Sequence, residues 1–102
     1  MLTERALGFG IDAFIRVALA AHGSAASEAF AAFLRRLPEI RSAYAVTGNA
    51  DYLLHARVRT LADLSRLIAD DLLPHPSVRE VHSEIALDLI KTDAPLALRD
   101  PR

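Results

Sequence analysis

The sequence predicts an α+β domain of ferredoxin-like βαββαβ type, a four-stranded antiparallel sheet with two helices on one face. Three observations predict it. Apolar residues alternate with polar ones in four separate stretches, the signature of half-buried strands. Two intervening stretches repeat apolar residues at spacings of three and four, the signature of amphipathic helices. The order along the chain is strand, helix, strand, strand, helix, strand.

The first strand is the stretch IDAFIRVALA after Gly8 and Gly10. Ile11, Ala13, Ile15, Val17 and Leu19 form an apolar face for the core, and Asp12, Phe14, Arg16, Ala18 and Ala20 form the opposite face. His22-Gly23-Ser24 breaks the strand, and a helix is expected over residues 24–37. Its stripe is Ala26, Ala29, Phe30, Phe33, Leu34 and Leu37, with Ser24 as N-cap and Glu28 placed in the first turn against the helix dipole. Arg35 and Arg36 suit the last turn and Pro38 stops it.

A second strand is expected over residues 39–47, with Ile40, Tyr44 and Val46 on one face. The run Thr47-Gly48-Asn49-Ala50-Asp51 reads as a hairpin turn into a third strand over residues 52–58. There Tyr52, Leu54, Ala56 and Val58 face the core, and Leu53, His55 and Arg57 face away. Thr60 caps the second helix, with Asp63 three residues on in a short form of the capping box. Leu61, Leu64, Ile68 and Leu72 make its stripe, with Leu67 at the margin, and Pro74 and Pro76 end it. The last strand starts near Val78. Val81, Ser83, Ile85, Leu87 and Leu89 share one face, and His82, Glu84, Ala86 and Asp88 the other. From Thr92 onward a proline-containing tail is expected to lie on the surface or fray.

With both helices on one side, the other sheet face is left open. It carries Phe14, Arg16, Leu53, His55, Arg57, His82, Glu84 and Asp88, and a second copy of the same sheet is the simplest cover. A single domain is expected over residues 1–102. The composition, 52% hydrophobic and 25% charged, is rich in apolar residues for so small a body, which again points to a subunit interface.

Net charge is −1 with no basic run, so direct nucleic-acid binding is not expected. There is no cysteine, which removes disulfides and thiolate chemistry. No transmembrane run and no signal-peptide pattern is visible, so a cytoplasmic protein without a membrane partner is the plain reading.

The pieces Leu37-Pro38-Glu39-Ile40, Val46-Thr47-Gly48-Asn49-Ala50-Asp51-Tyr52 and Pro76-Ser77-Val78-Arg79-Glu80-Val81 occur in an order and spacing that resemble the effector-binding (RAM) domain of the Lrp/AsnC feast/famine regulators, without the helix-turn-helix of full-length members. The resemblance covers about Gly8 to Lys91. It implies a dimer by face-to-face packing of sheets, association into tetramers or octamers, and a small effector, an amino acid in most members, held at a subunit interface near the hairpin turn. It also implies that this chain can associate with full-length Lrp/AsnC relatives. A stand-alone sensor and a piece of a longer chain both fit.

The implied ligand residues are Thr47, Gly48, Asn49, Asp51, Tyr52 and Ser83. Backbone N–H groups around Thr47, Gly48 and Asn49 suit a carboxylate, Asp51 an ammonium, and Tyr52 an aromatic wall. Ser83 matches a position that is often small and polar in the family. The implied dimer-interface residues are Phe14, Arg16, Leu53, His55, Arg57, His82 and Glu84.

Plainer explanations stand beside these. Gly-Asn needs no ligand to form a turn, Asp51 can simply cap it, and Tyr52 can simply be core. His55, His82, Glu84 and Asp88 fit a charged interface better than any established zinc spacing, so no metal and no cofactor is expected. His22 and His75 are read as solvent-facing loop residues. No nucleophile elbow, paired carboxylates or phosphate-cradling glycines occur, so no catalytic residue is assigned. The rival readings are a small dimeric ferredoxin-like enzyme similar to cofactor-free monooxygenases, and a ligand-free assembly domain.

Overall fold

The computed structural model describes residues 10–20, 23–47 and 51–91. The opening glycine Gly8, loop residue His22, the turn residues Gly48, Asn49 and Ala50, and the tail from Thr92 lie outside these described residues.

Strand β1 (Ile11–Leu19) is followed by helix α1 (Ser24–Arg35), strands β2 (Ile40–Ala45) and β3 (Tyr52–Val58), helix α2 (Leu61–Arg66), a wider π-type continuation (Leu67–Leu72) and strand β4 (Val78–Ile85). The four strands form one antiparallel sheet in the order β2-β3-β1-β4, the ferredoxin-like arrangement.

Strand β1 is central because it is the most apolar of the four. Ala13, Ile15, Val17 and Leu19 are buried, and they meet Leu54, Ala56 and Val58 of β3 in one core with Phe30 and Leu34 of α1 and Leu64, Leu67 and Leu72 of the second helical segment. Alternation assigned the faces of β1 and β3 correctly.

Two stripes differ from expectation. On β2, Ile40 pairs with Ala56 but Ser42 pairs with His55, so Arg41 is an extra residue, a β-bulge. An extra residue reverses the side of everything after it. Tyr44 therefore pairs with Leu53 on the open face, 60% exposed, rather than sharing the core side with Ile40. In the second helix, the Leu73 N–H donates to the Ile68 carbonyl, five residues back, at 2.8 Å. The wide turn brings residues five apart onto one side. Leu67 and Leu72 are both buried, while Leu61, expected in the stripe, is 58% exposed.

Helix ends also differ in detail. Ser24 is the first helical residue of α1 and not its cap. Gly23 is the N-cap and offers no side-chain bond, and no acid lies in the first turn, so Glu28 sits beyond it. Thr60 does cap α2 as expected, its hydroxyl accepting from the Asp63 N–H at 3.1 Å.

Gly23 has φ 125° and ψ 162°, a region that L side chains rarely adopt. A Cβ there would meet nothing within 4 Å, so the cost of substitution is purely conformational. Gly23→Ala is expected to lower stability by about 1–3 kcal/mol in urea unfolding, with no change in oligomer mass. A neutral effect would contradict the strained cap.

Candidate functional site

The open sheet face and the hairpin end of the sheet are the two places where most of the candidate side chains gather. Across the open face the register sets up rows. One row is Tyr44, Leu53, Arg16 and His82; the next is Ser42, His55, Phe14 and Glu84. Arg57 and Asp12 share a third. All seven sequence-assigned interface residues thus lie on one face, as alternation requires.

Asp12, a residue the sequence reading left out of the interface, is the hub of that face. Its carboxylate accepts from His55 Nε2 at 2.8 Å and from Arg57 Nε at 3.0 Å. The His55 ring stacks on Phe14, centroids 5.0 Å apart and planes 17° from parallel. Burial pushes the Asp12 carboxyl up, but hydrogen bonds and charge from Arg57 and His55 outweigh that and hold it below its ordinary 3.8. A depressed carboxyl contributes stability that is present above its unfolded value and lost as pH falls through the folded one. Asp12→Asn is therefore expected to be less stable than wild type at neutral pH, the gap closing once pH drops below about 3.8. A gap independent of pH, measured by urea unfolding along a pH series, would contradict a charged role.

At the edge strand His82 Nε2 lies 2.8 Å from Glu80 and Arg79 Nη1 lies 2.9 Å from the same carboxylate. The hydrogen bond with His82 and the charge of Arg79 lower the Glu80 carboxyl. With His55 held by Asp12 and His82 by Glu80, both histidines have side-chain partners. No group of three or more potential metal ligands occurs among the described residues.

The hairpin end is built by Asp51. The Val46 N–H donates to the Asp51 carbonyl at 3.1 Å, closing the turn, and the Asp51 N–H donates to the Val17 carbonyl at 2.9 Å. The Asp51 carboxylate accepts from the Leu19 N–H at 2.6 Å, extending the β1–β3 ladder one step by a side chain. Leu19 is 2% exposed, so this bond satisfies a main-chain donor at the sheet's end.

Next to it, the Tyr52 ring packs 5.2 Å from Phe30, and His75 completes the cluster at 5.4 Å from Phe30 and 4.7 Å from Phe33. His75 is half-buried, which corrects its reading as solvent-facing. Its Nδ1 accepts from the Ser77 N–H at 3.1 Å, within the turn flanked by Pro74 and Pro76. That bond to a residue two ahead is the local signal that was available.

Thr47, Asp51 and Tyr52 come together at the hairpin. Gly48 and Asn49 lie outside the described residues. Ser83 does not join them within one protomer. It pairs with Ile15 on the far side of β1 from the hairpin and is exposed.

The family model described as the Lrp/AsnC ligand binding domain matches residues 12–96. The chain belongs to this family. The Lrp/AsnC assignment is supported by a transcriptional regulator from Neisseria meningitidis solved as its L-Met complex, 36% identical with a TM-score of 0.82, covering 97% of this chain and 64% of that one. The leucine-responsive regulatory protein of Rhizobium meliloti is 30% identical over 91 residues, 89% of this chain and 58% of the relative. The HTH-type transcriptional regulator AldR of Mycolicibacterium smegmatis is 25% identical over 91 residues, 89% of this chain and 53% of the relative. The chain thus spans little more than half the length of these Lrp/AsnC regulators, and they are regulators rather than enzymes by name. Among the described residues no helix is long and apolar enough to cross a membrane.

Proposed function

We propose that residues 1–102 form a single sensing and assembly domain that binds a small amino-acid effector between subunits. The observation that carries the reading is the likeness, over 97% of the chain, to a regulator captured with L-Met. The hairpin end supports it, because the Asp51 carboxylate and the Tyr52 ring lie side by side at one end of the sheet. In this reading the ligand carboxylate is assigned to main-chain N–H groups of the Thr47, Gly48 and Asn49 stretch, the ammonium to Asp51, and the side chain to the Tyr52 ring. Ser83 reaches such a ligand from the neighbouring subunit, since its own hairpin lies across β1.

Assembly proceeds through the open face, where Phe14 is 40% and Tyr44 60% exposed beside Leu53. The interface is formed by Phe14, Arg16, Leu53, His55, Arg57, His82 and Glu84, and two or four such dimers give tetramers or octamers. A ligand lodged between subunits shifts assembly only by its differential affinity for the assembled form. Transcriptional control then requires a DNA-binding part from a longer chain or from a full-length relative that joins the oligomer, in the cytoplasm.

A small ferredoxin-like enzyme is the weaker reading, since the relatives are named regulators. Ligand-dependent stabilisation in a thermal-shift screen of amino acids, L-methionine first, tests the proposal. A stable oligomer that responds to none of them would leave the assembly-only reading in its place.

A further inference from the structure

The end of β3 remote from the hairpin carries a concave feature. Seven residues of strand separate the two ends, roughly 20 Å at the usual rise. There a cleft of about 450 Å³ opens between the end of β3 and the helical segment that follows. Its volume suits a small molecule, but its wall is charged where most small-molecule sites are apolar.

Arg57, Arg59 and Arg66 line it together with Glu39, Asp63, Asp70 and Asp71. Arg66 is paired with Asp63, and Arg57 reaches out of the cleft to Asp12. Arg59 and the carboxylates of Glu39, Asp70 and Asp71 have no side-chain partner among the described residues. What remains unpaired around the cavity is therefore one guanidinium against three carboxylates.

The π-type winding of Leu67–Leu72 gives a second, independent reason to regard the cleft as more than a solvated surface. Such segments are rare and frequent at functional sites. Here the wide turn buries Leu67 and Leu72 together while Asp70 and Asp71, consecutive in sequence, both line the cleft.

We propose that this cleft is a second effector site, separate from the hairpin site, selective for an amino acid with a cationic side chain. Such a ligand presents two cationic centres and one carboxylate, which meets one guanidinium and offsets part of the excess of three carboxylates. Asp70, Asp71 and Glu39 take the two cations, and Arg59 takes the carboxylate in a two-pronged contact. A neutral amino acid leaves the acid excess uncompensated, so the cleft discriminates by side-chain charge.

The test is a titration of the ¹⁵N-labelled full chain with L-lysine, followed by amide shifts. L-norleucine, which lacks the side-chain ammonium, and cadaverine, which lacks the carboxylate, serve as comparison probes. L-lysine is expected to shift amides of Val58–Asp63 and Leu67–Asp71 saturably, and L-norleucine to leave them still. The double variant Asp70→Asn/Asp71→Asn should weaken L-lysine binding by about tenfold. Arg59→Gln should bring L-lysine down to the affinity of cadaverine. The variants are at charged cleft positions outside the core, so the fold can be verified from their unshifted core amides. No saturable shift at the cleft through the millimolar range, equal shifts with L-norleucine, or shifts confined to the hairpin would each overturn the proposal. Amides of Thr47 and Asp51 report the hairpin site in the same spectra, so failure of one site is distinguishable from failure of the other.

Discussion

Phe30→Ala is expected to destabilise the domain by about 3–5 kcal/mol, the usual cost of emptying a buried aromatic position. Phe30 is 0% exposed and is the ring against which Tyr52, Phe33 and His75 all pack. Its removal leaves a void between α1, β3 and the turn before β4 that backbone hydrogen bonds prevent from closing. Domains of this size have a total stability of roughly 5–15 kcal/mol, so the variant should approach the limit of folding. Urea unfolding of wild type and variant measures the loss directly. Because the cluster touches Tyr52, the same substitution should also loosen the hairpin end. A loss below about 1 kcal/mol would mean that the aromatic cluster is not a closed part of the core.

The second large effect concerns the open face. Phe14→Glu places a carboxylate at the middle of the face, beside Glu84 across the β1–β4 pairing. His55, stacked on Phe14, is already engaged by Asp12 and gives the new charge little relief. In a two-fold dimer the change occurs twice, and an unpaired charge in a covered interface costs about 3–5 kcal/mol. Dimer dissociation should therefore be strengthened by a factor of at least about a hundred. Sedimentation equilibrium should find monomer at concentrations where wild type is oligomeric. Leu61→Glu, on the helical side and 58% exposed, should leave the mass unchanged. Equal masses for wild type and Phe14→Glu would place the interface elsewhere.

Most of the fold was legible in the residues because alternation and helical spacing are strong where one face is buried. Central β1 and β3 show this, with every expected core position on the helix side. Edge strand β2 did not, because the bulge at Arg41 reverses the faces and no local pattern announces an extra residue. The sequence places Ile40 and Tyr44 an even number of residues apart, which reads as one face until a bulge intervenes. The second helix was misjudged for a similar reason, since helical spacing assumes α winding and Leu67 with Leu72 obey a wider turn. On β4 the apolar run suggested a longer strand, but the strand ends at Ile85, the Ala86 N–H still donating to the Asp12 carbonyl at 2.8 Å, and Leu87 and Leu89 are 88% and 58% exposed.

The candidate site was legible only in part. The hairpin residues are candidates through their ordered resemblance, not through chemistry that stands out in one sequence. Asp12 was passed over because a lone acid on a strand looks like solvated surface. Its role depends on His55 and Arg57 arriving from β3, more than forty positions along the chain, at 2.8 Å and 3.0 Å. Asp51 has a structural duty that the sequence suggested only as a turn cap. Its bond to the Leu19 N–H means that Asp51→Ala would leave a buried donor unsatisfied and confuse instability with loss of binding.

Asp51→Asn reduces that confusion, since the amide oxygen keeps an acceptor for the Leu19 N–H while the negative charge is lost. The measurement that tests the central claim most directly is a thermal-shift screen of amino acids on wild type and Asp51→Asn, with light scattering alongside. An effector at a hundred times its Kd should add about 2.7 kcal/mol to wild-type stability. The expected result is a selective rise for one or a few amino acids in a wild-type oligomer, largely lost in an Asp51→Asn protein of unchanged mass and unliganded Tm. A rise of equal size in both proteins would contradict the role given to Asp51, and no rise with any amino acid would contradict the sensor itself.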